Sequence, residues 1–150
     1  MANKEIIEEW ISYSKMDFDT AKFINQNMIP KPLEIICYHC QQSAEKILKA
    51  VLISFDVDIQ RTHDLGKLVE ELQEYLPVSD NLIDCCYDLT PYGVKSRYPQ
   101  EMFIEENDAD LALKNAEALF THFITVLQNR IVETASLSSQ MKDQQTNVQT

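Results

Sequence analysis

Residues 35–55 read IICYHCQQSAEKILKAVLISF. On a helical wheel eight apolar side chains of this segment share one arc of about 120°; they are Ile36, Cys37, Cys40, Ala44, Ile47, Leu48, Val51 and Phe55. An arc of this width is typical of a helix that buries one face in a core. The segment therefore predicts a long amphipathic helix, running from about Leu33 to about Phe55.

The same helical spacing continues along the rest of the chain. It predicts four further helices: one over residues 3–27, one that begins after Thr62 as its N-cap, one around residues 82–89 and one over residues 108–134. Prolines punctuate the connections, and glycine occurs only at Gly66 and Gly93, which argues against a many-stranded β fold. The sequence predicts an all-α, up-and-down bundle of about five helices with a four-helix core, formed by residues 1–135. The polar residues 136–150 are predicted to be a disordered tail.

Composition narrows the function. The chain has 150 residues, which suits one domain, and a net charge of −11, which disfavours binding to an extended nucleic acid. Its four cysteines lie in helical apolar patterns, so they are interpreted as core residues and no metal site is expected. Without a signal-like segment or a long apolar run, no membrane association is expected, and the expected location is the cytoplasm.

The last predicted helix has two apolar sides. One side carries Leu113, Ala116, Phe120, Phe123, Ile124, Leu127 and Ile131, and a weaker side carries Leu119 and Val126. One bundle needs mainly one apolar side, so the second indicates a homodimer.

A polar stripe lies on the 35–55 helix beside its core face. His39, Gln42, Lys46 and Lys49 fall within about 80° of one another. An imidazole, an amide and two ammonium groups together would suit a phosphate or another acidic group. The alternative is an ordinary solvated helix back, in which Glu45 pairs with Lys49 one turn later.

Three segments carry a resemblance to a known family. YHCQQSAEKILKA at residues 38–50, RTHDLGKLVEEL at 61–72 and LTPYGVKSRYP at 89–99 resemble, in the same order, the signature segments of HEPN domains. The resemblance covers about residues 5–128. It implies a helical bundle that often forms homodimers and is often encoded beside a minimal nucleotidyltransferase, sometimes in toxin–antitoxin systems.

Some HEPN proteins are ribonucleases that use an arginine followed by a histidine after four to six residues. The chain has three arginines, Arg61, Arg97 and Arg130, and none is followed by a histidine at that spacing. This absence argues against the ribonuclease activity, and the acidic net charge agrees with it.

The resemblance and the polar stripe together give a candidate ligand site. It combines Gln42, Lys46 and Lys49 with His63, Arg97 and Tyr98. The cations would hold phosphates, Tyr98 would stack on a base, and Gln42 and His63 would orient the ligand.

The sequence therefore predicts a non-catalytic HEPN-like module without a cofactor. Its ligand would be a nucleotide or another anion, and its partner a minimal nucleotidyltransferase. Two alternatives remain open, namely a divergent HEPN ribonuclease and a purely structural dimerisation protein. In those alternatives His63 could be a helix cap, and the Arg97–Tyr98 segment a loop anchor.

Overall fold

The computed structural model describes residues 4–93 and 103–148. These residues form five α-helices and one 3-10 turn, and no strand occurs among them. In chain order the elements are α1 (Lys4–Asn27), α2 (Leu33–Ser54), α3 (Leu65–Leu72), α4 (Asp80–Leu89), the 3-10 turn (Thr90–Gly93) and α5 (Glu106–Val148). The predicted all-α bundle is confirmed. None of the described helices has a stretch that is both long and apolar enough to span a bilayer.

Helix α2 lies at the centre of the bundle. It packs most extensively against α1 and α5, and it also contacts α3, α4 and the 3-10 turn. The predicted core face is confirmed, since all of its members are buried except Phe55, which is partly buried. Because α2 has neighbours on several sides, Gln41, Ser43, Glu45 and Lys49 are buried as well. The back of α2 is therefore not an ordinary solvated surface.

The short helices α3 and α4 begin at side-chain caps. Asp64, rather than the predicted Thr62, is the N-cap of α3, and its carboxylate accepts a hydrogen bond from the Lys67 amide at 3.3 Å. Thr62 acts one step earlier, because its hydroxyl accepts from the Asp64 amide at 3.1 Å. Ser79 caps α4. Both caps satisfy amide groups that have no partner within the helix.

The buried side of α5 differs from the prediction. Ala112, Ala116, Leu119, Phe123 and Leu127 are buried, so the core stripe is centred nearer to Leu119 than expected. Of the remaining members of the predicted apolar side, Leu113, Phe120 and Ile131 are only partly buried against the core. Leu119 is thus used within the chain's own bundle, and the second apolar side of α5 no longer argues for a dimer.

Helix α5 also extends further than predicted. The sequence indicated an end at Thr134, but the helix continues through Val148. Neither Gly nor Pro occurs after Pro99, so no residue type that stops a helix is present. The side chains of residues 135–144 are exposed, so this part of the helix lies outside the core.

Arg130 connects α5 to the C-terminal end of α2. Its guanidinium donates to the Ser54 hydroxyl at 3.0 Å and to the Ser54 carbonyl at 2.9 Å. The guanidinium carbon also lies 3.5 Å from the centroid of the Phe55 ring. The cation thus satisfies a carbonyl that has no partner within α2 and stacks on an aromatic ring.

Candidate functional site

A carboxylate cluster forms where α1 crosses α2. Asp17 on α1 accepts a hydrogen bond from Lys46 and lies 2.9 Å from the Nδ1 atom of His39, both on α2. The Asp17 side chain is only 13% exposed. Burial raises the pKa of Asp17, but the hydrogen bonds and charges of His39 and Lys46 lower it by a larger amount. The pKa of Asp17 therefore lies below its usual value. We call Asp17, His39 and Lys46 the Asp17 cluster.

A groove opens beside the Asp17 cluster. It has a volume of about 450 Å³ and is lined by Glu9, Trp10, Tyr13 and Lys46. The Lys46 ammonium lies 5.9 Å from the centroid of the Tyr13 ring, within the range of a cation–π contact. Tyr13 is 50% exposed, so its ring is accessible from solvent. The groove therefore combines two aromatic rings with a cation that Asp17 holds in place.

A second carboxylate cluster lies where α2 meets the segment before α3. Glu45 on α2 is 4% exposed. One of its oxygens accepts from Lys49 at 3.2 Å, and the other lies 2.8 Å from the Nδ1 atom of His63. Gln41 donates to the same oxygen as His63, at 3.3 Å. We call Glu45, Lys49, His63 and Gln41 the Glu45 cluster.

Gln41 holds the surrounding backbone in position. Its amide nitrogen donates to the His63 carbonyl at 3.0 Å, and its oxygen accepts from Gln42 at 2.7 Å. Gly93, at the end of the 3-10 turn, packs so closely that an added Cβ would lie 2.8 Å from the Gln41 amide. The Gln41 side chain therefore joins α2, the segment before α3 and the end of the 3-10 turn.

The structure divides the predicted ligand set between the two clusters. Lys46 contacts Asp17, whereas Lys49 and His63 contact Glu45. The contact between Glu45 and Lys49 is the i,i+4 pair that the alternative interpretation of the polar stripe predicts. Gln42 is partly buried and bonds to its neighbour Gln41. Arg97 and Tyr98 lie outside the described residues. The role of all six residues as ligand contacts stays a prediction.

The sequence pattern predicts the polar stripe and the Glu45–Lys49 pair, but it does not predict the partners of the stripe on α1. Asp17, Trp10 and Tyr13 belong to α1, and each of these residues lies more than twenty positions before His39 and Lys46 of α2 in the sequence. A carboxylate at Asp17, one turn after Tyr13, was the available signal. Nothing in the local pattern paired it with His39 or Lys46.

The four cysteines are buried core residues, as predicted. Burial raises the pKa of the Cys37 thiol and of the Cys86 thiol to about 12. They are therefore protonated at neutral pH and behave as small apolar groups. Across residues 4–93 and 103–148, no three His, Cys, Asp or Glu side chains are grouped so as to hold a metal ion.

A model of the HEPN domain family matches residues 7–126 of the chain. The chain belongs to the HEPN family. The signature at residues 38–50 thus supplies His39 and Lys46 to the Asp17 cluster, and Gln41, Glu45 and Lys49 to the Glu45 cluster.

Two solved structures share this HEPN fold. The first is TT1696 from Thermus thermophilus, with a TM-score of 0.69 and 19% identity, covering 79% of this chain and 96% of that one. The second is ST0689, an archaeal HEPN homologue, with a TM-score of 0.63 and 21% identity, covering 79% and 95%. No curated protein sequence matches the chain.

Proposed function

We propose that this HEPN domain is a non-catalytic module that binds a nucleotide in the groove between α1 and α2. The observation that supports this most directly is the placement of Lys46. Asp17 and the Tyr13 ring hold its ammonium at a groove of about 450 Å³ that Trp10 also lines. A volume of this size falls within the range of small-ligand sites.

The base and the phosphate of a nucleotide each have a complementary group in this groove. A base can stack on Trp10 or Tyr13, because every base presents an aromatic face. A phosphate can accept a hydrogen bond from Lys46, which has three donor hydrogens and gives only part of them to Asp17. A mononucleotide adds few negative charges, so the net charge of −11 opposes it far less than it opposes a long polyanion.

The arrangement of the titratable groups favours binding over catalysis. Beside the groove, His39 and Lys46 are both paired with the partly buried Asp17 carboxylate. The arginine–histidine spacing of the ribonuclease members is also absent from the sequence.

The test uses Trp10, the only tryptophan of the chain, as an internal reporter. Purified protein is titrated with adenosine and guanosine monophosphates while Trp10 fluorescence is recorded. We expect saturable quenching. Lys46→Ala should weaken binding by about 1.5–3 kcal/mol, or about tenfold to a hundredfold, because a charge-assisted hydrogen bond is lost.

Two matched comparisons give the controls, Lys15→Ala against Lys46→Ala and Tyr13→Phe against Tyr13→Ala. Lys15→Ala removes the same charge from an exposed site on α1 and should leave binding unchanged. Tyr13→Phe keeps the ring and should bind, whereas Tyr13→Ala should bind more weakly. If no nucleotide quenches Trp10, or if Lys46→Ala binds as well as the unmodified chain, the proposal is wrong. A pull-down with mass spectrometry would then test the nucleotidyltransferase partner.

A further inference from the structure

The three histidines of the chain occupy different environments. His39 has a carboxylate partner, Asp17, but its side chain is only 26% exposed. His122 on α5 is exposed and stacks edge-on against Phe123, and no carboxylate partner is found for it among the described residues. His63 combines both features, since its side chain is 56% exposed and its Nδ1 atom lies 2.8 Å from the Glu45 carboxylate.

The Glu45 cluster fixes how the His63 ring is used. Glu45 accepts a hydrogen bond from the Lys49 ammonium on one oxygen, so we assign its other oxygen as the acceptor and the His63 Nδ1 atom as the donor in their contact. The neutral ring then carries its lone pair on Nε2, for which the described residues provide no hydrogen-bond partner. Gln41 holds the His63 carbonyl as well, so both the backbone and the ring are oriented. A carboxylate-oriented imidazole is the arrangement that activates histidine in many sites.

We propose that His63 is a modification site whose Nε2 atom accepts a phosphoryl group from a small activated phosphate, such as an acyl phosphate or a phosphoramidate. The Nε2 lone pair forms the new N–P bond, and the bond from phosphorus to the leaving group breaks with its electron pair on the leaving group. The Nδ1 proton stays in place, and the positive charge that develops on the ring faces Glu45. Glu45 is the positioning residue.

The charges near His63 are compatible with an anionic donor. Arg61 and Lys67 lie two and four residues away and are both exposed. Asp64, the nearest carboxylate in sequence, accepts a hydrogen bond from the Lys67 amide as the N-cap of α3, where the positive end of the helix dipole partly offsets its charge. Lys49 keeps the Glu45 charge balanced behind the ring. This site is separate from the proposed nucleotide groove, which lies at the Asp17 cluster.

The experiment incubates the full chain with phosphoramidate and locates the phosphoryl group by mass spectrometry and phosphorus NMR. The nitrogen of this donor is already protonated, so it leaves as neutral ammonia when the P–N bond breaks. No further reactant is needed. We expect acid-labile, base-stable modification of His63, at least about tenfold faster than at His122 or His39. His122 controls for exposure, and His39 controls for the presence of a carboxylate.

The variants separate positioning from exposure. His63→Ala should abolish the fast modification. The double variant Glu45→Gln/Lys49→Met avoids leaving a buried unpaired charge and keeps His63 exposed, and its reaction should be at least about tenfold slower. Nitrogen NMR of the His63 ring should show the Nδ1–H form in the unmodified chain and lose that preference in the double variant. The proposal fails if His63 stays unmodified, if His122 reacts as fast, or if the folded double variant keeps the full rate.

Discussion

Asp17 is the side chain on α1 that ties two groups of the HEPN signature helix together. We expect Asp17→Asn to lower the free energy of unfolding at pH 7 by about 1–3 kcal/mol, because two charge-assisted contacts are weakened in a partly buried site. The folded-state pKa of Asp17 is lowered, so its contribution is complete above its unfolded pKa of about 4 and is lost as the pH falls through and below that value. Urea unfolding at pH 7 and in acid measures both effects.

Asp19 supplies the matched control for Asp17. It lies on the same helix, but it pairs with Lys15 on the exposed surface. Asp19→Asn should change stability little, since exposed ion pairs contribute little. The difference in the free energy of unfolding between the unmodified chain and the Asp17→Asn variant should become smaller in acid. If this difference in the free energy of unfolding is constant with pH, the Asp17 carboxylate stabilises the fold through packing rather than through its charge.

The C-terminal part of α5 is a helix whose described side chains are exposed. Deleting residues 136–150 should leave the thermal midpoint nearly unchanged, because residues 136–144 bury little apolar surface against the bundle. Far-ultraviolet circular dichroism should show a loss of helical signal, since α5 continues to Val148. A drop of several degrees in the midpoint would mean instead that this extension packs against another surface in solution.

Self-association is predicted to involve the outer stripe of α1 formed by Met16 and Phe23. The exposed fractions of these two side chains are 57% and 64%, and their spacing of seven residues places them on one face of the helix. We expect a dimer in sedimentation equilibrium at tens of micromolar, and a monomer after Phe23→Glu. A monomer in the unmodified chain would contradict the prediction. A dimer that survives Phe23→Glu would move the interface away from this stripe.

The sequence by itself determined the helical class, the core face of α2 and the family. Each of these follows from local information, because helical periodicity and signature spacing are read within a single segment. The core residues Ile36, Cys40 and Ile47 were assigned correctly for this reason. The start of α5 was also placed to within two residues, at Glu106 rather than Asp108.

Only the tertiary structure decided which polar groups meet. Asp17 contacts His39 and Lys46 across 22 and 29 residues of sequence, and His63 reaches Glu45 across 18. A helical wheel places Lys46 and Lys49 on one stripe, yet Lys46 pairs with Asp17 of α1, whereas Lys49 pairs with Glu45 of its own helix. The Lys49 pair follows from i,i+4 spacing, but the Lys46 pair does not. The wheel gives the direction of a side chain from its own helix. The partner in that direction depends on how separate helices pack, and no local pattern contains that information.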